Sequence, residues 1–439
     1  MDILSYQQAF GAEDVTSQAM QKATQSWFRL YYRDKEENGE DPCQRIAYTV
    51  VSKLVRWVFA EYNAQGDSEF AKEILKGLDR QKALAVQLAL VGGESYLKPV
   101  RSGKSFSFVC IPRNRILVFA RNEKGEPTDV GTVETSSENG FYFSLLERRR
   151  VDEKGYLTVE NRLYRSKYPG SLGTEIALTS RPGYQDFLPR YTFREPIGSV
   201  GLVRLKTPQL NCVDGSWEGV SVYAPAEGLI HAIDRNEYLL GQEFERGQSR
   251  IIASRDMLRE DGQLTDNLFV GLDEDPENVG ITLFAPELRH QAYLERKREY
   301  LRNVEAVIGL QRGVLSDVST MQRTATEISA TQAEHCLTVM DFQGMWAQAV
   351  QESLALCARL GRLYGLKVQE ETAVLDWGNG VLYDEEKLWQ EYKDMAQKGL
   401  IAPEVALGWR FNLPSETEEE RAIIRKKYMS LKCKVQSAK

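Results

Sequence analysis

The sequence predicts an α+β fold, and three observations carry that reading. The first ninety or so residues show apolar positions at helical spacing, residues 94–204 break into short alternating runs, and the second half returns to long helices, one of them close to 40 residues. At 439 residues and 49.9 kDa the chain is long enough for a substantial core and predicts two or three domains.

Residues 15–32 and 45–62 read as amphipathic helices, the second with Ile46, Val50, Leu54 and Val58 on one face. "RDKEENGEDP" between them reads as a solvated loop. A third helix is predicted from Ser68 to about Leu90 through Phe70, Ile74, Leu78, Leu84 and Leu88, with Gly92 and Gly93 ending it. Then come "SYLKPV", "SFSFVCI", "RILVFA", "GFYFSLLERRR", "GYLTVENRLYRS" and "PRYTFRE", rich in aromatic and β-branched residues and separated by turn residues, hence an antiparallel β region. Within it the charged run Glu147–Arg150 reads as a strand's solvated end.

A helix is predicted from Pro225, where the missing N–H costs nothing, to about Arg246. Leu229, Ile230, Ile233, Leu239 and Leu240 face a neighbour, and Asp234, Arg235, Glu237 and Glu245 the wet side. Residues 248–285 read as a compact excursion of short strands and turns. Pro286 opens a second long helix to about Ile308, crowded with charge at Glu295, Arg296, Lys297, Arg298, Glu299 and Arg302. The pair reads as a hairpin stalk with a small module at its tip. A loop, 311–323, leads to Thr324, which suits an N-cap because Glu327 completes the reciprocal Thr-x-x-Glu box; such a cap contributes about 1 kcal/mol. The helix it starts runs to about Leu363, roughly 60 Å at 1.5 Å per residue. Its stripe is Ile328, Cys336, Val339, Phe342, Trp346, Val350, Leu354, Cys357 and Leu360. The remainder reads as a short strand, a helix from Glu385 to Lys398 stopped by Gly399, a short helix after Pro403 and a last helix capped by Ser415 with Glu418, then a frayed tail.

Composition narrows the function. With 56 Lys+Arg against 63 Asp+Glu and a net charge of -7, the chain does not look like a tight nucleic-acid binder, whereas a wall that lets DNA slide past is compatible with that charge. The six cysteines stand far apart with no CxxC pair, so reduced, buried thiols are expected. No basic, apolar leader opens the sequence and no stretch reaches membrane-span length, which points to a cytoplasmic protein. His231, His290 and His335 lie in predicted helices without metal-ligand spacing. "DEDPENVG", 273–280, lacks the order of a calcium loop, and Asp376, Asp384, Glu385 and Glu386 read as turn and helix-start charges. Without a nucleophile elbow, a dinucleotide fingerprint, a Walker loop or an H-E-x-x-H pair, no catalytic, cofactor or metal site is expected, and a motor's ATPase would belong to a partner. The basic candidates are Arg312 and Arg323 at the borders of the loop, with "RRR" at 148–150 and "RKK" at 425–427 as weaker ones; Glu295, Arg296, Arg298 and Arg302 suit ion pairs between subunits better than DNA contacts.

Three strings in order, "WEGVSVYAPAEGLIHAIDRNEYLLGQEFERGQSRIIASRDML", "LFAPELRHQAYLERKREYLRNVEAVIGL" and "RTATEISATQAEH", resemble the portal proteins of tailed bacteriophages, particularly those of siphophages of Gram-positive hosts. The likeness spans nearly the whole chain. It implies a wing over 1–220, stem helices over 221–247 and 286–310, a clip over 248–285, a tunnel loop over 311–323, a long helix over 324–365 and a crown over 366–439. The loop candidates are then Gln311, Arg312, Ser316 and Arg323, facing the channel. The family implies a ring of twelve copies at one vertex of the virion, assembled in the host cytoplasm, that conducts double-stranded DNA. It also implies docking of the large terminase subunit and a head-completion or adaptor protein, and contact with the major capsid protein and scaffold. Another oligomeric head-tail connector or adaptor of the virion is the alternative, and a Mg²⁺ nuclease built on scattered carboxylates a third.

Overall fold

The computed structural model describes residues 3–32, 42–246, 250–253, 281–284, 287–316, 325–378, 385–411, 413–415 and 417–429. The chain forms two compact units, one of residues 1–58 and 65–374, the other of 59–64 and 375–439.

The first unit opens with α1 (Ile3–Phe10), α2 (Gln18–Tyr32) and α3 (Ile46–Val58). The expected helix over 45–62 stops at Val58, and residues 63–65 form a strand, β1 (Asn63–Gln65), that belongs mostly to the second unit. α1 was not foreseen: its apolar positions Tyr6 and Phe10 pack on the β region with Leu117, Phe119, Val133, Leu146 and Tyr164. α4 (Glu69–Gly92) starts at Ser68, whose hydroxyl accepts from the Ala71 N–H at 3.1 Å, and stops at Gly93 in the left-handed region with φ 79°. A side chain at Gly93 would strike the Gly219 carbonyl, so glycine is required there on two counts.

Two antiparallel sheets follow. β2 (Glu94–Ser102) lies between β3 (Ser105–Pro112) and β10 (Val203–Lys206). The larger sheet runs β4 (Ile116–Arg121), β5 (Pro127–Glu138), β6 (Phe141–Val151), β7 (Leu157–Ser166) and β8 (Thr174–Ile176), with β9 (Arg190–Thr192) also on β7. β5 went unread because "PTDVGTVETSSE" is polar and carries Gly131; it folds as a strand because partners on both sides take its ladder, and Gly131 leaves room for the Phe10 and Phe119 rings. Glu147–Arg149 corrects the reading of a solvated strand end. Glu147 and Arg149 are buried, Lys98 and Arg149 each reach Glu147 at 2.7 Å, and Arg148 reaches Asp129 at 2.7 Å. Only Arg150 of the run is exposed.

The core lies where α4 packs on β2 and β3 and is flanked by α2, α3 and α7 (Ala325–Leu363), the 39-residue helix. Trp27, Val50, Leu54, Ile74, Leu78 and Leu97 are buried there, and α7 contributes Val339, Phe342, Trp346, Val350, Leu354, Cys357 and Leu360 from the expected stripe. Five cysteines are described and none is bonded to another, but only Cys357 is buried. Cys212 is exposed, contrary to the expectation of buried thiols, because "NCVDGSW" is a surface loop tied by its own Asn and Asp side chains.

The second unit holds β1 paired with β13 (Val374–Asp376), then α8 (Glu385–Gln397), α9 (Pro403–Arg410) and α10 (Glu418–Ile424). Gly399, φ 71°, ends α8, and Pro403 opens α9, as expected. The last cap is Thr417 with Glu420, not Ser415 with Glu418. Both pairs have the same spacing, but starting at Glu418 buries Ile424, and the Ser415 carbonyl is taken by Arg421 Nε at 2.8 Å. The tail and residues 273–280 lie outside the described residues.

Candidate functional site

The candidate site is the helix hairpin, with the turn that leads from it toward α7. A short turn at Ala224–Ala226, with Pro225 near its start, runs directly into α5 (Glu227–Arg246). The root is fixed to the core. Buried Tyr223 donates its hydroxyl to the Trp27 carbonyl at 2.7 Å, and Glu227, in the first turn where the helix dipole favours a carboxylate, accepts from Trp27 Nε1 at 3.1 Å and from the Ser26 hydroxyl. α6 (His290–Ile308) runs back antiparallel along α5. Asn236 Nδ2 donates to the Tyr293 carbonyl at 3.0 Å, Lys297 bridges Glu237 at 2.7 Å, and Arg289 bridges Glu243 at 2.8 Å near the far end.

These contacts revise three expectations. α6 begins at His290 rather than Pro286, because Glu243 holds both the backbone N–H and the guanidinium of Arg289 and residues 287–289 stay non-helical. Asp234 is half-buried, accepting from the Gln44 N–H at 2.8 Å; burial pushes its carboxyl above the usual range against that bond. Glu237 is likewise drawn off the wet side by Lys297. Arg235 and Glu245 stay exposed, while Ile230, Ile233 and Leu240 are buried as expected.

Between the far ends of the hairpin, β11 (Arg250–Ala253) pairs antiparallel with β12 (Ile281–Phe284), with Arg250 opposite Phe284. The excursion therefore leaves and returns through adjacent strands; residues 254–280 lie outside the described ones.

Of the charged candidates on α6, Glu295, Arg296 and Arg298 are exposed, with Arg296 over the Tyr300 ring at 5.3 Å, and Arg302 is half-buried, 3.7 Å from Glu299. The other histidines are accounted for: His231 is exposed, 3.8 Å from Glu227, and His335 is buried against Trp57 at 4.5 Å between ring centres, burial lowering its pKa. No group of His, Cys, Asp or Glu suited to a metal occurs among the described residues, and no described helix is long and apolar enough to cross a membrane.

The base of α6 holds what the sequence reading missed. Gly309, φ 77°, ends the helix, and its carbonyl accepts from Thr338 Oγ1 of α7 at 3.0 Å. Glu305, one turn earlier and fully buried, turns its carboxylate on the following turn. Oε1 accepts from the N–H groups of Gly313, Leu315 and Ser316 at 3.1, 2.5 and 2.8 Å, and Oε2 from the Ser316 hydroxyl at 2.8 Å. Lys53 Nζ donates to the Val314 carbonyl at 2.6 Å. Ser316, one of the channel-loop candidates, is buried in this chain, its hydroxyl taken up by Glu305. Gln311 is half-buried and Arg312 exposed, with no ion partner among the described residues. Arg323 and Thr324 lie outside the described residues, as does the Glu327 side chain; α7 is described from Ala325. The signal for Glu305 was available: a lone carboxylate in "NVEAVIGL", among apolar residues and one turn before a glycine stop.

An antiparallel hairpin, a strand pair at its tip and a tied turn toward a 39-residue helix make a structural scaffold. The family model "Phage portal protein, SPP1 Gp6-like" matches residues 162–427, more than half of the sequence, and the chain belongs to that family of structural proteins. Two solved structures share the fold. One is a chain in the neck of a native GTA particle, computed with C12 symmetry, at 12% identity and TM-score 0.50 over 96% of this chain and 97% of that one. The other is in the neck of an empty GTA particle, computed with C6 symmetry, at 12% identity and TM-score 0.50 over 90% and 95%. No curated protein matches the chain.

Proposed function

We propose that this chain is the portal vertex protein of a tailed phage of the siphophage type that infects Gram-positive hosts. It assembles as a ring of twelve around an axial channel through which double-stranded DNA enters the head and later leaves. The observation that carries the reading is the family match over 162–427, which takes in the whole succession of hairpin, plug, turn and long helix. In this reading residues 1–220 form the wing, 221–247 and 286–310 the stem, 248–285 the clip, 311–323 the tunnel loop, 324–365 the long helix and 366–439 the crown.

A ring suits the surface. A heterologous contact repeated around a rotation axis closes without leaving free ends, and the exposed Glu295, Arg296 and Arg298 on α6 would pair with the next copy rather than with solvent. The net charge of -7 suits a conduit wall that holds DNA weakly. The large terminase subunit would dock on the clip during packaging and a head-completion or adaptor protein afterwards, with the major capsid protein and scaffold around the wing. The ring would stand at one vertex of the virion, after assembly in the host cytoplasm.

Mass determination and electron microscopy of the purified full-length chain test this together. The expected particle is a turbine-shaped ring with an axial hole. A chain that stays a single copy under every assembly condition, or flat discs lacking wing and stem, would refute it.

A further inference from the structure

The turn at 311–314 is a β-turn: the Val314 N–H donates to the Gln311 carbonyl at 3.3 Å, and Gly313, φ 96°, sits at the third position, where a type II turn needs glycine. Arg312 is its second residue and stands exposed at the apex. Much of the rest of the turn is held from the inside. Glu305 takes three N–H groups and a hydroxyl from residues 313–316, its own backbone carbonyl accepts the Leu310 N–H at 2.8 Å, and Lys53 holds the Val314 carbonyl.

A buried carboxylate is costly unless its hydrogen bonds are met, and here dipoles alone meet them; among the described residues no Lys or Arg pairs with Glu305. Packing does not call for it. Val304, Ile308 and Leu310 already bury this helix end, and an apolar side chain of similar volume would fill the place without the desolvation cost. What an apolar side chain lacks is direction. We infer that Glu305 is a positioning residue for Arg312: it fixes residues 313–316 against the end of α6 and so sets where the guanidinium at the apex points. The inference rests on the portal reading for the role of Arg312, as the cation that meets passing phosphates, and on the hydrogen bonds alone for the anchor.

The test uses the full-length ring. Glu305→Leu keeps the volume and removes the acceptors, whereas Glu305→Gln keeps an acceptor for the three amides and a partner for Ser316. Hydrogen exchange over 310–316, read by mass spectrometry, should be at least about tenfold faster in Glu305→Leu, the effect of losing a hydrogen bond to a charged acceptor, and near wild type in Glu305→Gln. In a packaging system Glu305→Leu should retain as little DNA as Arg312→Ala, and the double variant no less than either alone. Unchanged exchange in Glu305→Leu would overturn the anchor, and a double variant that falls further than Arg312→Ala would overturn its action through Arg312. Should Glu305→Leu not form rings, Ser316→Ala removes one of the four bonds and enters the same comparison. A wild-type chain that never yields DNA-filled heads refutes the portal reading instead; the exchange measurement needs no DNA and decides the anchor by itself.

Discussion

At the scale of single residues, the informative positions are buried charges. Glu94 is fully buried; burial pushes its pKa up, but the charge and hydrogen bond of Arg204, then Arg113 and Tyr96, outweigh this and hold it at about 2. Glu147 is held at about 2 in the same way by Arg149 and Lys98. Both folded values lie below the ordinary 4.5, so the stability these groups contribute is present above pH 4.5 and is lost as pH falls toward 2. Urea unfolding followed from pH 6 to pH 2 should show a falling midpoint in that window, with a shallower slope in Glu94→Gln. At neutral pH, Glu94→Ala should cost about 3 kcal/mol, since it leaves the largely covered Arg204 without its carboxylate; an unchanged midpoint would mean the network contributes nothing. The sequence hid this network because its members are spread from Thr16 to Glu218, and Arg113 joins the two ends, reaching Thr16 Oγ1 at 2.8 Å and Glu218 at 3.1 Å. Local pattern reads a charge as wet unless a distant partner is known.

At the scale of elements, the long periodic helices were the legible part. α4 and α7 match their expected spans within a few residues, since a sustained apolar stripe leaves a helix one face to bury. Ends set by tertiary contacts were not legible: α6 starts four residues late because Glu243 claims Arg289, and β5 is a strand by virtue of its neighbours. Magnitudes separate the elements' supports. Trp346→Ala, at the fully buried centre of the α7 stripe, should lower stability by about 3–5 kcal/mol, whereas Lys297→Ala, between partly exposed helices of the hairpin, should cost no more than about 1 kcal/mol. Thermal denaturation of both variants checks the order, and equal losses would mean that the hairpin pair matters more than its exposure allows. Of the candidate site, the hairpin and the short strands at its tip could be read in advance. A lone carboxylate in an apolar run marks Glu305 in the sequence, but its partners, like that of Thr338, depend on how the chain doubles back after Gly309.

At the scale of the whole molecule, the proposed ring sets the expected phenotype of the apex. Arg312→Ala should leave ring formation and melting unchanged and reduce the DNA retained per head, measured by quantifying DNA in purified particles. Loss of rings would instead assign Arg312 to a contact between copies. The pairing of Arg250 with Phe284 has a further consequence. Since the two strands stand side by side, the stretch joining them is closed off at its neck like the drawstring of a purse. Exchanging that stretch for one of double the length would cost the hairpin only about 0.6 kcal/mol of closure entropy. The joining stretch can therefore change length while the two supporting rods keep their spacing.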